Sequence, residues 1–281
     1  MSETVTGVLE ETPHADCRAT ADGGLTLDLA LPSLTAPPSL ELRLRAKEGE
    51  QPRHALPVES AGADGRWRAV LGAEPVLAEG RWDLYLRVAE DGDWRRVAPG
   101  VRDLRALLAR EPAPVEGPLA VRVPYRTKDG WFAVRAWLRP ALAEAGPITV
   151  SPEGSMTVRA RLLGAKPGRG AAAVVKLRGG GKRGPAREAE LVDEGAGVFS
   201  FTVPYAELVA EESTEATAFW DVSVRPASKA ARVRVARLLD DVADKKAVFV
   251  YPATRVGEAT VQPYYTVDND LAVRVDRRDE S

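Results

Sequence analysis

The stretch PYRTKDGWFAVRAW at positions 124–137 returns in outline as PYYTVDNDLAVRVD at 263–276. Pro, Tyr, Thr, Asp and Ala-Val-Arg keep the same places in both. Other pairs flank it: GRWDLYLR (80–87) with AFWDVSVR (218–225), and DGRWRAVL with AGVFSFTV. LELRLRA pairs with AVVKLRG, and LTLDLAL with MTVRARL. Trp82 and Asp83 therefore answer to Trp220 and Asp221, and Trp67 to Phe199. The offset grows in small steps from about 131 to about 139 residues, as insertions in loops would produce. A chain written this way is expected to fold as two copies of one unit. The expected division is an N-terminal tail (1–20), copy one (21–146) and copy two (147–281), with the boundary near Gly146–Pro147 and a short link.

Each copy is a string of short alternating runs. Trp82, Leu84, Leu86 and Val88 fall on one face of their run, and Trp220, Val222 and Val224 do the same in copy two. A period of two marks a half-buried antiparallel strand. ADGG, EDGD, KDG and VDND supply tight turns between runs. The fold class expected is all-β: a tandem duplication of two immunoglobulin-like antiparallel β-sandwich domains, about seven strands each. Short connecting helices are expected in 101–110, 204–212 and 235–245. The repeated phrase is then a hairpin whose second half is the last strand of each copy. Tyr125 and Tyr264 are expected to bury their rings with the hydroxyl on a backbone partner. Thr127/Asp129 and Thr266/Asp268 are expected to bond turn amides.

Composition narrows the function classes. The net charge of -2 gives no basic surface for a nucleic acid. Cys17 is the sole cysteine, so no internal disulfide forms, and it reads as a passive thiol. The acidic start MSETVTGVLEETPHADC lacks an apolar signal region, and no run approaches a membrane span, so a cytoplasmic location is expected.

Catalytic chemistry finds little support. His14 and His54 are the two histidines, and neither has a partner spaced as a metal site or triad. Asp91/Asp93 and Asp268/Asp270 have the Asp-x-Asp form that can hold a divalent cation, but both sit where turns are expected. LLDDVADKK reads as a surface face with its own ion pairs. No catalytic residue, cofactor or metal is assigned. RGGGKRGPAR (178–187) departs from a P-loop, since Arg183 follows Lys182. It is a solvated hairpin, or an anion contact through Lys182, Arg183 and Arg187 to a phosphate-bearing polymer or an acidic surface. Tryptophan is the better clue. Parity on the last strand of copy one turns Trp131, Ala133, Arg135 and Trp137 outward, where copy two has Asp270, Ala272, Arg274 and Asp276. Trp94 likewise has no aromatic counterpart. Exposed indoles need a cover: the sister domain, another subunit, or a sugar ring. Trp131, Arg135, Trp137 and Trp94 are thus the candidate binding surface, with a protein partner or homo-oligomer foremost and a glycan second.

The runs GRWDLYLRV, PYRTKDGWFAVRAW and PYYTVDNDLAVRV resemble accessory β-sandwich repeats that follow catalytic domains in bacterial cell-envelope glycosyltransferases and glycerophosphotransferases, which build teichoic-acid-like or capsular polymers. The resemblance implies immunoglobulin-like modules that mediate oligomerisation or polymer contact, with catalysis elsewhere. No catalytic domain accompanies them in this sequence. The function expected is a non-catalytic accessory protein, a scaffold or partner of an envelope-polymer transferase. The alternatives are a structural oligomerisation module and a carboxylate-dependent glycan-active enzyme.

Overall fold

The structure is a computed structural model and describes residues 11–46, 49, 51–62, 65–109, 118–211 and 216–277. Its regular secondary structure is almost all strand. The described chain divides into two units, one built on β1–β11 and the other on β12–β22.

In the first unit, β1 (His14–Ala19), β2 (Leu25–Ala30), β3 (Ser39–Leu44) and β4 (Arg53–Leu56) are followed by β5 (Val58–Ser60) and β6 (Arg66–Leu71). Then come β7 (Gly80–Arg87), β8 (Arg95–Arg96), β9 (Ala98–Asp103), the short helix α1 (Arg105–Leu108), β10 (Leu119–Arg126) and β11 (Phe132–Arg139). One sheet runs β5-β6-β2-β1-β9; the other runs β10-β11-β7-β3-β4, with β8 also on β7. Residues 14–19, expected with the tail, form β1, because Ala15, Cys17 and Ala19 point into the core. The first ten residues of that tail lie outside the described residues.

The second unit has β12 (Leu142–Ser151), β13 (Ser155–Leu163), β14 (Ala172–Leu177), β15 (Ala186–Glu190), β16 (Val192–Gly195) and β17 (Val198–Pro204). After the helix α2 (Ala206–Val209) come β18 (Thr217–Arg225), β19 (Val233–Ala236), β20 (Thr254–Val256), β21 (Ala259–Tyr265) and β22 (Leu271–Arg277). Its order β16-β17-β13-β12-β19 repeats the first unit's β5-β6-β2-β1-β9. Likewise β15-β14-β18-β22-β21 repeats β4-β3-β7-β11-β10. Even the parallel pair recurs, β1 with β9 and β12 with β19. Gly146–Pro147 falls within β12, at a register shift between Ala145 and Ile148.

The alternating pattern fixes the inner faces. Trp82, Leu84 and Leu86 are buried in the first unit; Trp220, Val222 and Val224 are buried in the second, against Phe199, Phe201 and Val273. Burying each such side chain contributes on the order of 1.5–3 kcal/mol. Two of the expected helices are single turns. The third is not helical: Val233–Ala236 is strand β19, and the Leu238 amide donates to the Glu144 carboxylate instead of continuing a helical ladder. Beyond it the Val242 amide donates to Asp240, a local side-chain bond that competes with helix.

The repeated phrase is a hairpin in both units. In the first, the Thr127 amide donates to the Trp131 carbonyl, Gly130 to the Thr127 carbonyl, and the Trp131 amide to Thr127 Oγ1. In the second, Thr266 to Asp270, Asn269 to Thr266 and the Asp270 amide to Thr266 Oγ1 repeat the set. The position that must take positive φ is Gly130 (94°) in one and Asn269 (62°) in the other. The tyrosines differ from expectation. Tyr125 and Tyr264 are half-buried on the face away from the core, and Tyr265 is the ring sealed inside. Strand alternation decides this, since Tyr264 is paired with Ala272 and Tyr265 with Leu271.

Candidate functional site

The expected tryptophan surface splits. Pairing of Ala133 with Asp83 places Trp131, Arg135 and Trp137 on the face away from the core, so the parity holds. Exposure does not follow: Trp137 is 1% exposed and Arg135 7%. The Arg135 guanidinium lies 5.2 Å from the Trp137 ring centre, so both are packed and neither offers a bare face to a ligand. Trp94 and Trp131 are half-exposed, each against arginine. Arg43 sits between Tyr85 (4.3 Å) and Trp94 (4.8 Å), Arg87 also meets Trp94 (4.9 Å), and Arg96 meets Trp131 (5.2 Å).

The second unit carries a groove of about 450 Å³ on the corresponding face. Pairing of Lys176 with Asp221, Val174 with Ser223 and Ser223 with Arg234 brings β14, β18 and β19 together there. Lys176, Arg178, Arg232 and Arg234 line it, with Asp221 as the one carboxylate and Ser223 on the floor. Lys176 Nζ donates to the carbonyls of Gly181 (2.5 Å) and Lys182 (3.1 Å), which ties the Gly-rich hairpin over one wall. Arg178 makes a forked bond to Asp221, and that carboxylate pushes the guanidinium pKa further above its ordinary value. Arg234 reaches Asp270 at 3.1 Å. Four cations and one carboxylate line the groove; Arg178 and Arg234 are paired with Asp221 and Asp270, so the excess positive charge rests on Lys176 and Arg232.

Of the basic residues singled out in the sequence, Lys182 and Arg183 are exposed on the hairpin beside the groove. Arg187 is not with them. It points to the other side of its strand, pairs with Glu211 at 2.6 Å and lies 5.8 Å from the Trp220 ring. Arg178 opens the 178–187 run but was not singled out, and Lys176, Arg232 and Arg234 were missed, because no linear run contains all four. Only strand pairing joins them.

The first unit has the same framework with a different filling. Arg43 opposite Asp83 stands where Lys176 stands opposite Asp221. Arg45 forks onto Asp83 at 2.7 and 2.6 Å, as Arg178 does onto Asp221. Arg96, paired with Tyr85, matches Arg234, paired with Ser223. Two residues earlier, Trp94 matches Arg232. Tyr85 and Trp94, wedged about Arg43, thus fill the place that Ser223 and Arg232 leave open.

The remaining candidates are framework. Asp91 and Asp93 are exposed beside a turn in which the Gly92 amide bonds Ala89, and Asp268 is exposed in its hairpin. Asp270 is paired with Arg234 and Arg139. Among the described residues no group of three His, Cys, Asp or Glu is placed to hold a metal ion. His14 is exposed on β1; His54, on β4, has its pKa lowered by partial burial and by Arg122. Burial pushes the Cys17 thiol up to about 12, which leaves it protonated and inert. No helix is long and apolar enough to cross a membrane among the described residues.

No protein-family model matches the chain, and no curated protein does. Among solved structures, S. aureus TarS is similar at 16% identity and a TM-score of 0.32, over 67% of this chain and 35% of that one. S. aureus TarS 217-571 is similar at 15% identity and 0.32, over 68% and 55%. The chain thus spans between a third and just over half of those chains. Likeness at this level carries no argument about function.

Proposed function

We propose that the chain is a non-catalytic accessory protein made of two immunoglobulin-like copies, a scaffold or partner of an envelope-polymer transferase that holds a phosphate-bearing polymer. The observation that carries this is the groove of Lys176, Arg178, Arg232 and Arg234, where cations outnumber the carboxylate among the described lining residues. The resemblance of the repeated β-motifs to accessory repeats of envelope transferases supports the choice of polymer. A cytoplasmic location belongs to the same proposal.

The test is calorimetric titration with a glycerol-phosphate oligomer at low and high salt. Saturable binding that weakens with salt, and falls at least tenfold in an Arg232→Ala/Lys182→Ala variant, is expected. No binding at low salt overturns the proposal. A second reading rests on Trp94 and Trp131, whose half-exposed rings sit among arginines and suit a subunit or protein contact. A drop in mass by light scattering for Trp94→Ala/Trp131→Ala is its expected outcome, and an unchanged mass removes self-association.

A further inference from the structure

We infer that the anion groove of the second unit continues into a slot for a sugar ring, so that this face recognises a ring joined to a phosphate. The inference rests on the proposed polymer contact and narrows it. Beside the groove is a second concavity of about 290 Å³, walled by Phe219, Phe249, Tyr251, Gln262, Tyr264 and Arg274. Arg178 is the partition between the two. It stacks 5.4 Å from the Phe219 ring centre, is forked onto Asp221, and lies against Tyr264. Phe219 and Asp221 are alternate residues of β18, so they share a face at a spacing of about 7 Å along the strand. An anion on the Arg178–Arg232 side and a ring on the Phe219 side would therefore sit on adjacent stretches of one strand face, with Arg178 between them.

The shape of the slot favours a puckered, hydroxylated ring over a flat base. Phe219 and Tyr264 meet edge to face at 67° with centres 6.1 Å apart, which forms a corner and not a pair of parallel plates. Gln262 Nε2 donates to the Tyr251 carbonyl at 2.7 Å, which fixes the amide and turns its oxygen to accept a hydroxyl. Lys246 and Arg274 stand at the rim as further donors.

The first unit lacks both halves of this site. Tyr85 and Trp94 occupy the anion half, as described above. In the ring half, Arg81 stands where Phe219 does, since Arg81 pairs with Arg135 as Phe219 pairs with Arg274. The two units keep their cores and their Arg–Asp forks. They differ at the positions that open and line this face.

The test compares four probes on the full chain by calorimetry: a hexose-phosphate oligomer, a glycerol-phosphate oligomer, a neutral oligosaccharide and a single-stranded oligonucleotide. The hexose-phosphate oligomer is expected to bind at least tenfold tighter than the glycerol-phosphate one. Phe219→Arg, which installs the first unit's residue, should erase that preference and leave glycerol-phosphate binding in place. Gln262→Val, again the first unit's residue at its position (Val123), is the second variant if Phe219→Arg does not fold. Ser223→Tyr/Arg232→Trp should weaken both oligomers tenfold or more at unchanged melting temperature. Equal affinity for the two oligomers overturns the ring slot and spares the polymer contact. No binding of either overturns both. Tighter binding of the oligonucleotide, or binding of the neutral glycan at equal strength, overturns the assignment of a sugar phosphate.

Discussion

The two Arg–Asp forks share one framework in two settings, and that difference sets a measurable inequality. Asp83 has a side chain only 10% exposed and takes three charge-assisted bonds, two from Arg45 and one from Arg96 at 3.1 Å. Asp221 is 32% exposed and its fork comes from Arg178 alone. Asp83→Asn keeps the shape, removes the charge and leaves two guanidinium groups facing each other. Hydrogen bonds to charged groups contribute about 1.5–3 kcal/mol, and breaking a buried pair costs about 3–5. Arg45 is 40% exposed, so water recovers part of this. The expected cost is therefore about 2–3 kcal/mol, a fall in melting temperature of about 5–10 °C. Asp221→Asn removes a surface pair, at most about 1 kcal/mol and about 3 °C. Thermal unfolding followed by circular dichroism, with a urea series for each variant, measures both. Equal shifts, or a larger one for Asp221→Asn, would refute the reasoning that burial and the third bond decide the cost.

Two further outcomes follow from local geometry. Gly130→Ala should destabilise by about 1–2 kcal/mol and Gly130→Asn by about half as much, because the cost is the left-handed backbone and not a clash: an added Cβ would meet only the Arg126 side chain, at 3.5 Å, and Asn269 already fills the matching turn. Urea unfolding checks the order; an Asn variant weaker than the Ala one contradicts it. The folded-state pKa of His54 is lowered from 6.5, first by burial and then by Arg122, so protonation favours the unfolded chain. Stability should be full above about pH 6.5 and decline as pH falls through the lowered folded value, and His54→Gln should flatten that slope below about pH 6.5; an unchanged slope removes His54 as its source.

The sheet faces were legible because alternation reads burial directly: Trp82 and Trp220 lie inward as the period of two requires. The turn at Thr127 was legible because short polar side chains bond their own amides. The stretch 235–245 misled, since a run spaced for a helix was captured by strand pairing at Val233–Ala236 and by Glu144. Tyr264 misled because two adjacent tyrosines face opposite ways and the pairing partner chooses which is inside. The groove was legible only at one wall, the 178–187 hairpin. Its cations come from β14 and β19 and the residues flanking them, distant in sequence and joined only through β18, and its openness depends on Ser223 and Arg232 standing where the first unit has Tyr85 and Trp94. That match rests on aligning β8 and β19 by their partners, where only a short Arg-Val-Ala (96–98 and 234–236) is common to both.

The parallel pairs have a bearing on how the chain is made. The parallel edge of β1 at His14 cannot be paired until Ala98 has been synthesised, and that of β12 at Ala143 must wait for Val235. The opening strand of each copy therefore spends most of its own translation with one edge unpaired, and loop-closure entropy is met late. Synthesis in chain order makes the strands β1–β11 of the first unit available to one another before those of the second.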